Sequence, residues 1–355
     1  MIQKQIYVFF ISVVIFISYS TQVWATNEGA GDAWPSLRVG VGARAVGMGG
    51  AFAAIADDAT AIHWNPGGLG FIKKIEGTFM HIGESALPVS DPTSRGITRR
   101  YEYLSGVFPT KYGCLGFSSN YFNIGGIQYT TGTSELDFQR ISGMDQQATE
   151  RIFTLAYGHQ VQKEWVLISI GGSIRRMRQQ FFGVATNGWG GDVGFIVKKD
   201  NLGGLRNPRL GYVFRWQNSR AWEDKLNRSN VETPNQDGGY IGWNYGFAFD
   251  PITNEKVTWT MAFALVNQRK GSPLTLSVGT EVWLLNNQIA LRAGIDDLRF
   301  YRRNASKEVW EETKLHGRLT AGMGLCLSVA RIDYAIASDP LALKHRVSIT
   351  LGASR

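Results

Sequence analysis

From residue 75 to its last turn the chain repeats one pattern: short segments in which apolar and polar residues alternate, joined by polar or Gly-rich connections. A period of two sends successive side chains to opposite faces of a β-strand. It is clearest where Val166, Ile168, Ile170 and Ile174 oppose Ser169, Gly171, Ser173 and Arg175. It recurs where Leu274, Leu276, Val278, Val282 and Leu284 oppose Thr275, Ser277, Gly279 and Glu281, and where Ile332, Tyr334 and Ile336 oppose Arg331, Asp333 and Ala335. Fourteen such segments can be counted, at 75–81, 101–108, 112–124, 151–161, 165–181, 188–197, 209–217, 239–249, 257–268, 274–285, 288–301, 314–329, 331–337 and 343–351. No helix alternates with them, and beyond residue 25 no apolar run reaches the ~20 residues of a membrane-spanning helix.

A soluble sandwich has the same period, so alternation alone does not choose the fold. The connections do. Those at 83–100, 125–150, 218–238 and 302–313 are long and polar, whereas 109–111, 162–164, 286–287 and Ala330 are tight, and the two kinds mostly alternate. Long loops at one rim and short turns at the other mark an outer-membrane barrel. The link 198–208 departs from this, being long where a short turn is expected; it reads as a surface loop, with a periplasmic contact surface as the alternative. The predicted fold is an all-β, antiparallel transmembrane β-barrel of about fourteen strands, apolar outside and polar within. A charge at Ile170 or Val278 should therefore meet lipid, while one at Ser169 or Ser277 should be mild. Trp165, Trp189, Trp216, Trp243, Trp259 and Trp283 lie in or at the ends of strands, and interfacial girdles are the expected use for several of them. The same parity turns Cys114 and Cys326 inward on strands that are not expected to be neighbours, which predicts free thiols.

Residues 1–25 have the three parts of a secretory signal: Lys4, an apolar stretch over 6–18, and Val23-Trp24-Ala25 as a cleavage site. The alternative is a retained anchor, for which the apolar run is short. The expected division is 1–25 signal peptide, 26–74 N-terminal hatch and 75–355 barrel, with the mature protein in the outer membrane. A net charge of +8 suits a solvated surface or anionic headgroups, and no motif for nucleic acid is present.

The stretch 37–70, LRVGVGARAVGMGGAFAAIADDATAIHWNPGGLG, is of another kind. Its Gly and Ala content permits close approach of backbone to backbone, at Gly42, Gly47, Gly49 and Gly50 above all. Residues 43–56 read as a helix or folded plug carrying Met48, Phe52 and Ile55. Asp57 or Asp58 is placed to cap a second short helix over 59–64, and Pro66 ends it, leaving Asn65 extended or in a turn. Gly40-x-Gly42-x-x-Ala45 followed by Asp57 or Asp58 imitates a dinucleotide fingerprint, but the βαβ unit that motif requires is missing. The polar group Asp57, Asp58, His63 and Asn65 reads as capping and turn chemistry, with an ion or proton site as the alternative.

The five histidines form no HxxxH or HExxH pair and there is no CxxC, so no zinc site is expected. Neither a Gly-x-Ser-x-Gly element nor a nucleophile, base and orienter set stands out. No enzymatic activity, cofactor or metal is expected.

The run Gly42-Ala43-Arg44-Ala45-Val46-Gly47-Met48-Gly49-Gly50-Ala51-Phe52, then Ala56-Asp57-Asp58-Ala59-Thr60-Ala61 and Trp64-Asn65-Pro66-Gly67-Gly68-Leu69, resembles the N-terminal signature of the PorV/PorQ family of FadL-like outer-membrane barrels. Asn65-Pro66 is similar to the Asn-Pro-Ala element of the FadL hatch, with Gly67 in place of Ala. The strands around Ile332-Asp333-Tyr334-Ala335 and His345-Arg346-Val347-Ser348 also look family-like, whereas the C-terminus lacks the terminal aromatic typical of such barrels. The resemblance implies a hatch in the lumen, with Met48 and Phe52 as a candidate lumen pocket. It also implies one of two functions: passive passage of hydrophobic small molecules, as in FadL, or a PorV-like role holding secretion-system or surface proteins of a type IX apparatus in the outer-membrane lipid.

Overall fold

The computed structural model describes residues 35–85, 98–131, 139–163, 165–181, 184–219, 239–267, 274–300, 315–338 and 343–352. The candidate signal segment, the tips of the long connections and the last three residues lie outside them. Sixteen strands follow a short helical region: β1 Glu76–Ser85, β2 Thr98–Thr110, β3 Gly113–Thr131, β4 Gln139–Lys163, β5 Val166–Phe181, β6 Val184–Lys198, β7 Asn201–Leu202, β8 Leu205–Arg206, β9 Arg209–Ser219, β10 Gly239–Thr253, β11 Thr258–Asn267, β12 Thr275–Leu284, β13 Ile289–Phe300, β14 Leu315–Cys326, β15 Ala330–Ser338 and β16 Leu343–Leu351. All but β7 and β8 form one closed antiparallel barrel of fourteen strands, each beside its neighbour in sequence, with β6 pairing β9 directly and β1 closing on β16. Closure leaves no edge strand, which is what a sheet in lipid requires.

The expected facing holds where it can be read. Ile170 and Ile174 are half-exposed on the outer face, whereas Ser169 and Arg175 are buried within. Along β12, Thr275, Ser277, Gly279 and Glu281 are buried and Leu276, Val278 and Val282 turn outward. On β15, Arg331, Asp333 and Ala335 are buried and Ile332 is exposed. Cys114 and Cys326 are free, on the non-adjacent strands β3 and β14.

Two connections differ from expectation. Most of 125–150 is strand, because β3 runs to Thr131 and β4 begins at Gln139. The stretch 125–150 is rich in Gly, Gln, Ser and Thr, which from sequence alone reads as a connection. The link 198–208 holds the ribbon β7–β8, turned at Gly203 and Gly204 in the left-handed region. Its base is tied to the wall through Asp250, which accepts from Asn207 Nδ2 (2.7 Å) and pairs with Arg209.

Candidate functional site

Val41 to Gly70 crosses the barrel interior near the rim of short turns, and nearly every residue in it is buried. Two short helices, α1 Ala43–Gly47 and α2 Ala61–Trp64, are followed by a 3-10 helix over Pro66–Phe71. Of the two readings of 43–56, helix or folded plug, the helix extends only over Ala43–Gly47: Gly49 and Gly50 have φ of 62° and 71°, which turns the chain back. Asn65 is extended (φ −161°), as a residue before proline should be. Its side chain accepts from Gly67 N (2.9 Å) and donates to Ala53 O (2.7 Å) and Phe195 O (3.1 Å), so it ties two hatch turns to the wall strand β6.

Why the hatch sits so close is legible in the wall. An ideal Cβ on Gly171 would lie 2.1 Å from Pro66 O, on Gly211 2.3 Å from Ala53 O, on Gly279 2.2 Å from Met48 O, and on Gly294 2.4 Å from Gly49 N. Gly158, Gly194, Gly246 and Gly322 meet Leu69 and Pro66, Asn65, Ala54 and Gly47 in the same way. These eight glycines stand on β4, β5, β6, β9, β10, β12, β13 and β14, and β11 and β15 contribute the buried Ala262, Ala264 and Ala335. A girdle of small inward residues thus receives the hatch backbone around most of the barrel. The large side chains of the hatch fill what is left: Met48, Phe52, Ile55, Ile62 and Leu69 form one buried cluster. Met48 and Phe52, the candidate lumen-pocket residues, have no exposed surface.

A ring of alternating charges fixes the hatch at one side. Arg44 of α1 donates to Glu281 on β12 through Nε (2.8 Å) and Nη2 (2.9 Å). Glu281 accepts from Arg292 Nε on β13 (2.8 Å), and Arg292 Nη1 lies 2.8 Å from Asp333 Oδ1 on β15. Asp333 accepts from Arg331 Nε (2.7 Å), Arg331 Nη2 donates to Asp58 (2.8 Å), and Asp58 returns to Arg44 Nη1 (3.3 Å). Three arginines and three carboxylates close a neutral cycle, all buried, in which every carboxylate is shared by two guanidinium groups. Asp57 lies beside it as a partly exposed fourth acid, bonded to Arg44. A buried ion pair contributes little net stability over apolar packing, but removing one member strands the others. The ring therefore acts chiefly to register the hatch against β12, β13 and β15.

Burial opposes the charges of the ring and its members overcome it. Asp57, Glu281 and Asp58 raise Arg44 well above the ordinary guanidinium value despite burial. Arg331 and Arg44 hold Asp58 below the ordinary carboxylate range against burial, with Thr60 adding a hydrogen bond. Asp58 Oδ1 also accepts from Thr60 N (3.0 Å), a local turn just before α2; the residue flanking α2 is Thr60, whose side chain makes no capping bond.

The polar residues grouped by sequence are thus dispersed. Asp57 and Asp58 face the ring, Asn65 faces β6, and His63 lies against a second wall cluster in which Arg175 and Arg215 share Asp192. Arg215 Nη2 donates to His63 O (2.6 Å). Burial, then Arg215 and Arg175, hold the His63 imidazole well below its ordinary pKa, hence neutral. Among the described residues no three of His, Cys, Asp or Glu converge on a point where a metal could bind. The ring partners Glu281, Arg292, Arg331 and Asp333 were not singled out as a site; parity places them inward, but only the closed barrel shows that they meet.

The barrel has counterparts among solved structures. A TodX deltaS2S3 mutant monoaromatic hydrocarbon channel matches with a TM-score of 0.54 at 13% identity, over 88% of this chain and 99% of that one. The fold is that of TodX. The P. putida toluene transporter TodX matches with a TM-score of 0.50 at 12% identity, over 89% and 99% of the two chains. At such identity the TodX likeness is one of architecture, which many functions can share. No protein-family model matches the chain, and no curated protein matches it by sequence.

Proposed function

We propose that the protein is a non-enzymatic channel of the outer membrane that passes hydrophobic small molecules passively, with the hatch as its gate. The observation that carries this reading is the manner of docking: a separable segment is seated on a glycine girdle and registered by an ion-pair ring, inside a barrel of TodX fold. Such a segment can shift while the wall stays closed, since wall strands pair only with one another. The signal-like sequence over 1–25 and the apolar exterior fit an outer-membrane location. Uptake of a tritiated aromatic hydrocarbon by cells with and without the protein tests it. Faster uptake with the protein supports the channel, and equal uptake counts against it.

A second reading draws on the completeness of the seal. Met48 and Phe52 have no exposed surface, as they would in a barrel that presents loops to partner proteins rather than passing solutes. The PorV/PorQ-like signature over residues 42–69 points the same way. Here the protein would hold secretion-system or surface proteins, and cross-linking from the outer-membrane fraction would recover a stable protein complex while hydrocarbon uptake stays at the background rate.

A further inference from the structure

On the outer face of β4 and β5 two arginines stand directly opposite one another, Arg151 and Arg178 being register partners. Like charges so placed repel. Arg176, two residues along β5, turns the same way, and all three are exposed. Among the described residues none of the three has a carboxylate at ion-pair distance, unlike Arg100, which is paired with Glu102 on the same outer surface. Two of the guanidinium groups lie over aromatic rings: Arg176 over Trp189 (4.9 Å) and Arg151 over Tyr121 (5.6 Å). These contacts hold the cations against the sheet rather than letting them trail into solvent.

The surroundings define the ligand. On the short-turn side of the arginines, the outward residues of the same strands are Phe153, Leu155, Ile174 and Ile170, each at least half exposed. On the other side they are Gln180, Thr149 and Gln147, polar and uncharged. The cations thus mark the line at which the apolar belt ends, with aromatic residues at the same level, as at a membrane interface. An amphiphile lying along β4 and β5 would set its acyl chains on Phe153, Leu155 and Ile174 and bring its headgroup to the arginines. Guanidinium groups bind phosphate oxygens by paired hydrogen bonds.

We propose that Arg151, Arg176 and Arg178 form a binding site for the phosphate headgroup of a membrane lipid in the leaflet on the long-loop side. The ligand resolves the repulsion between Arg151 and Arg178 that the bare surface leaves. The site rests on the outer-membrane reading but is separable from it, because it can be measured on the purified barrel. Native mass spectrometry in mild nonionic detergent would count bound phosphatidylglycerol, with phosphatidylcholine and inorganic phosphate as separate additions. The wild-type barrel should hold phosphatidylglycerol in preference to phosphatidylcholine, and affinity should fall roughly fivefold for each arginine removed, in Arg178→Gln and then in R151Q/R178Q. Arg100→Gln should change nothing. Heat-modifiable gel mobility identifies which variants are folded, and Arg178→Gln alone serves if the double variant does not fold. Equal retention by wild type and Arg178→Gln, or displacement of the lipid by inorganic phosphate at equal concentration, would overturn the proposal. Fractionation of the wild-type protein away from the outer membrane would instead overturn the location while leaving the lipid measurement intact.

Discussion

Arg44 and Glu281, 237 positions apart, meet through two parallel bonds of 2.8 and 2.9 Å, and through them the hatch is fixed to the wall. Arg44→Met leaves Glu281, Asp57 and Asp58 short of a buried cation, at a cost of about 3–5 kcal/mol to hatch docking. The barrel should persist, with heat-modifiable mobility unchanged, while limited proteolysis cuts within 41–70. Arg44→Met/Glu281→Gln should lose less than the two single variants together, because the two residues share one interaction.

The girdle makes a sharper prediction at two adjacent residues. A Cβ on Gly171 would stand 2.1 Å from Pro66 O, whereas one on Gly172, on the opposite face, would meet nothing nearer than Asp192 O at 3.5 Å. Gly171→Ala should unseat the 3-10 helix, at a cost of ~1–3 kcal/mol or more, since the obstacle is backbone and cannot rotate away. Gly172→Ala should be neutral. Protease protection of the hatch in the two variants compares them directly.

Acid should loosen the hatch in two stages. His63 is held neutral below its ordinary pKa, so its contribution is complete above about pH 6.5 and declines as pH falls below that value. Asp58 is depressed too, so its contribution is present above about pH 4 and is lost only as pH falls further, through its folded-state pKa. Hatch protection in wild type and His63→Gln should differ below about pH 6.5, while the Asp58 decline below about pH 4 is common to both.

Facing is tested on β5. Ile170→Arg places a charge on the lipid side, at a cost of ~2–4 kcal/mol near the midplane. The change at Ser169, expected from the sequence to be mild, is not so in the structure: Ser169 is wholly buried, and a Cβ on Gly70 would lie 2.2 Å from its Oγ. Ser169→Arg should therefore unseat the hatch, whereas Ile170→Arg should impair membrane insertion. Folded yield in lipid vesicles, read beside hatch proteolysis, separates the two.

Those contrasts mark how far the sequence could be read. All fourteen wall strands were legible, because lipid on one side and packing on the other impose alternation on residues such as Ile170 and Ser169. The outer lengths of β3 and β4 were not, since 125–150 is rich in Gly, Gln, Ser and Thr and so reads as a connection. Asp57, Asp58, His63 and Asn65 were recognisable as a polar group within an apolar segment, but Arg44, which pairs with two of them, was not. Their partners were hidden because Glu281, Arg292, Arg331 and Asp333 become neighbours only on closure. The girdle leaves a trace in the sequence: Gly158, Gly171, Gly194, Gly211, Gly246, Gly279, Gly294 and Gly322 all have inward parity. Period-two reading marks such positions as polar or small without saying what rests on them.

The claim that the hatch gates a hydrophobic path is tested most directly by single-channel conductance in planar bilayers, comparing wild type with Gly171→Ala. A gated path should show a closed wild-type baseline with brief openings that a dissolved aromatic hydrocarbon lengthens, and a persistently open Gly171→Ala barrel. A variant whose hatch is cut by protease yet whose conductance stays as closed as wild type, with or without hydrocarbon, would contradict it.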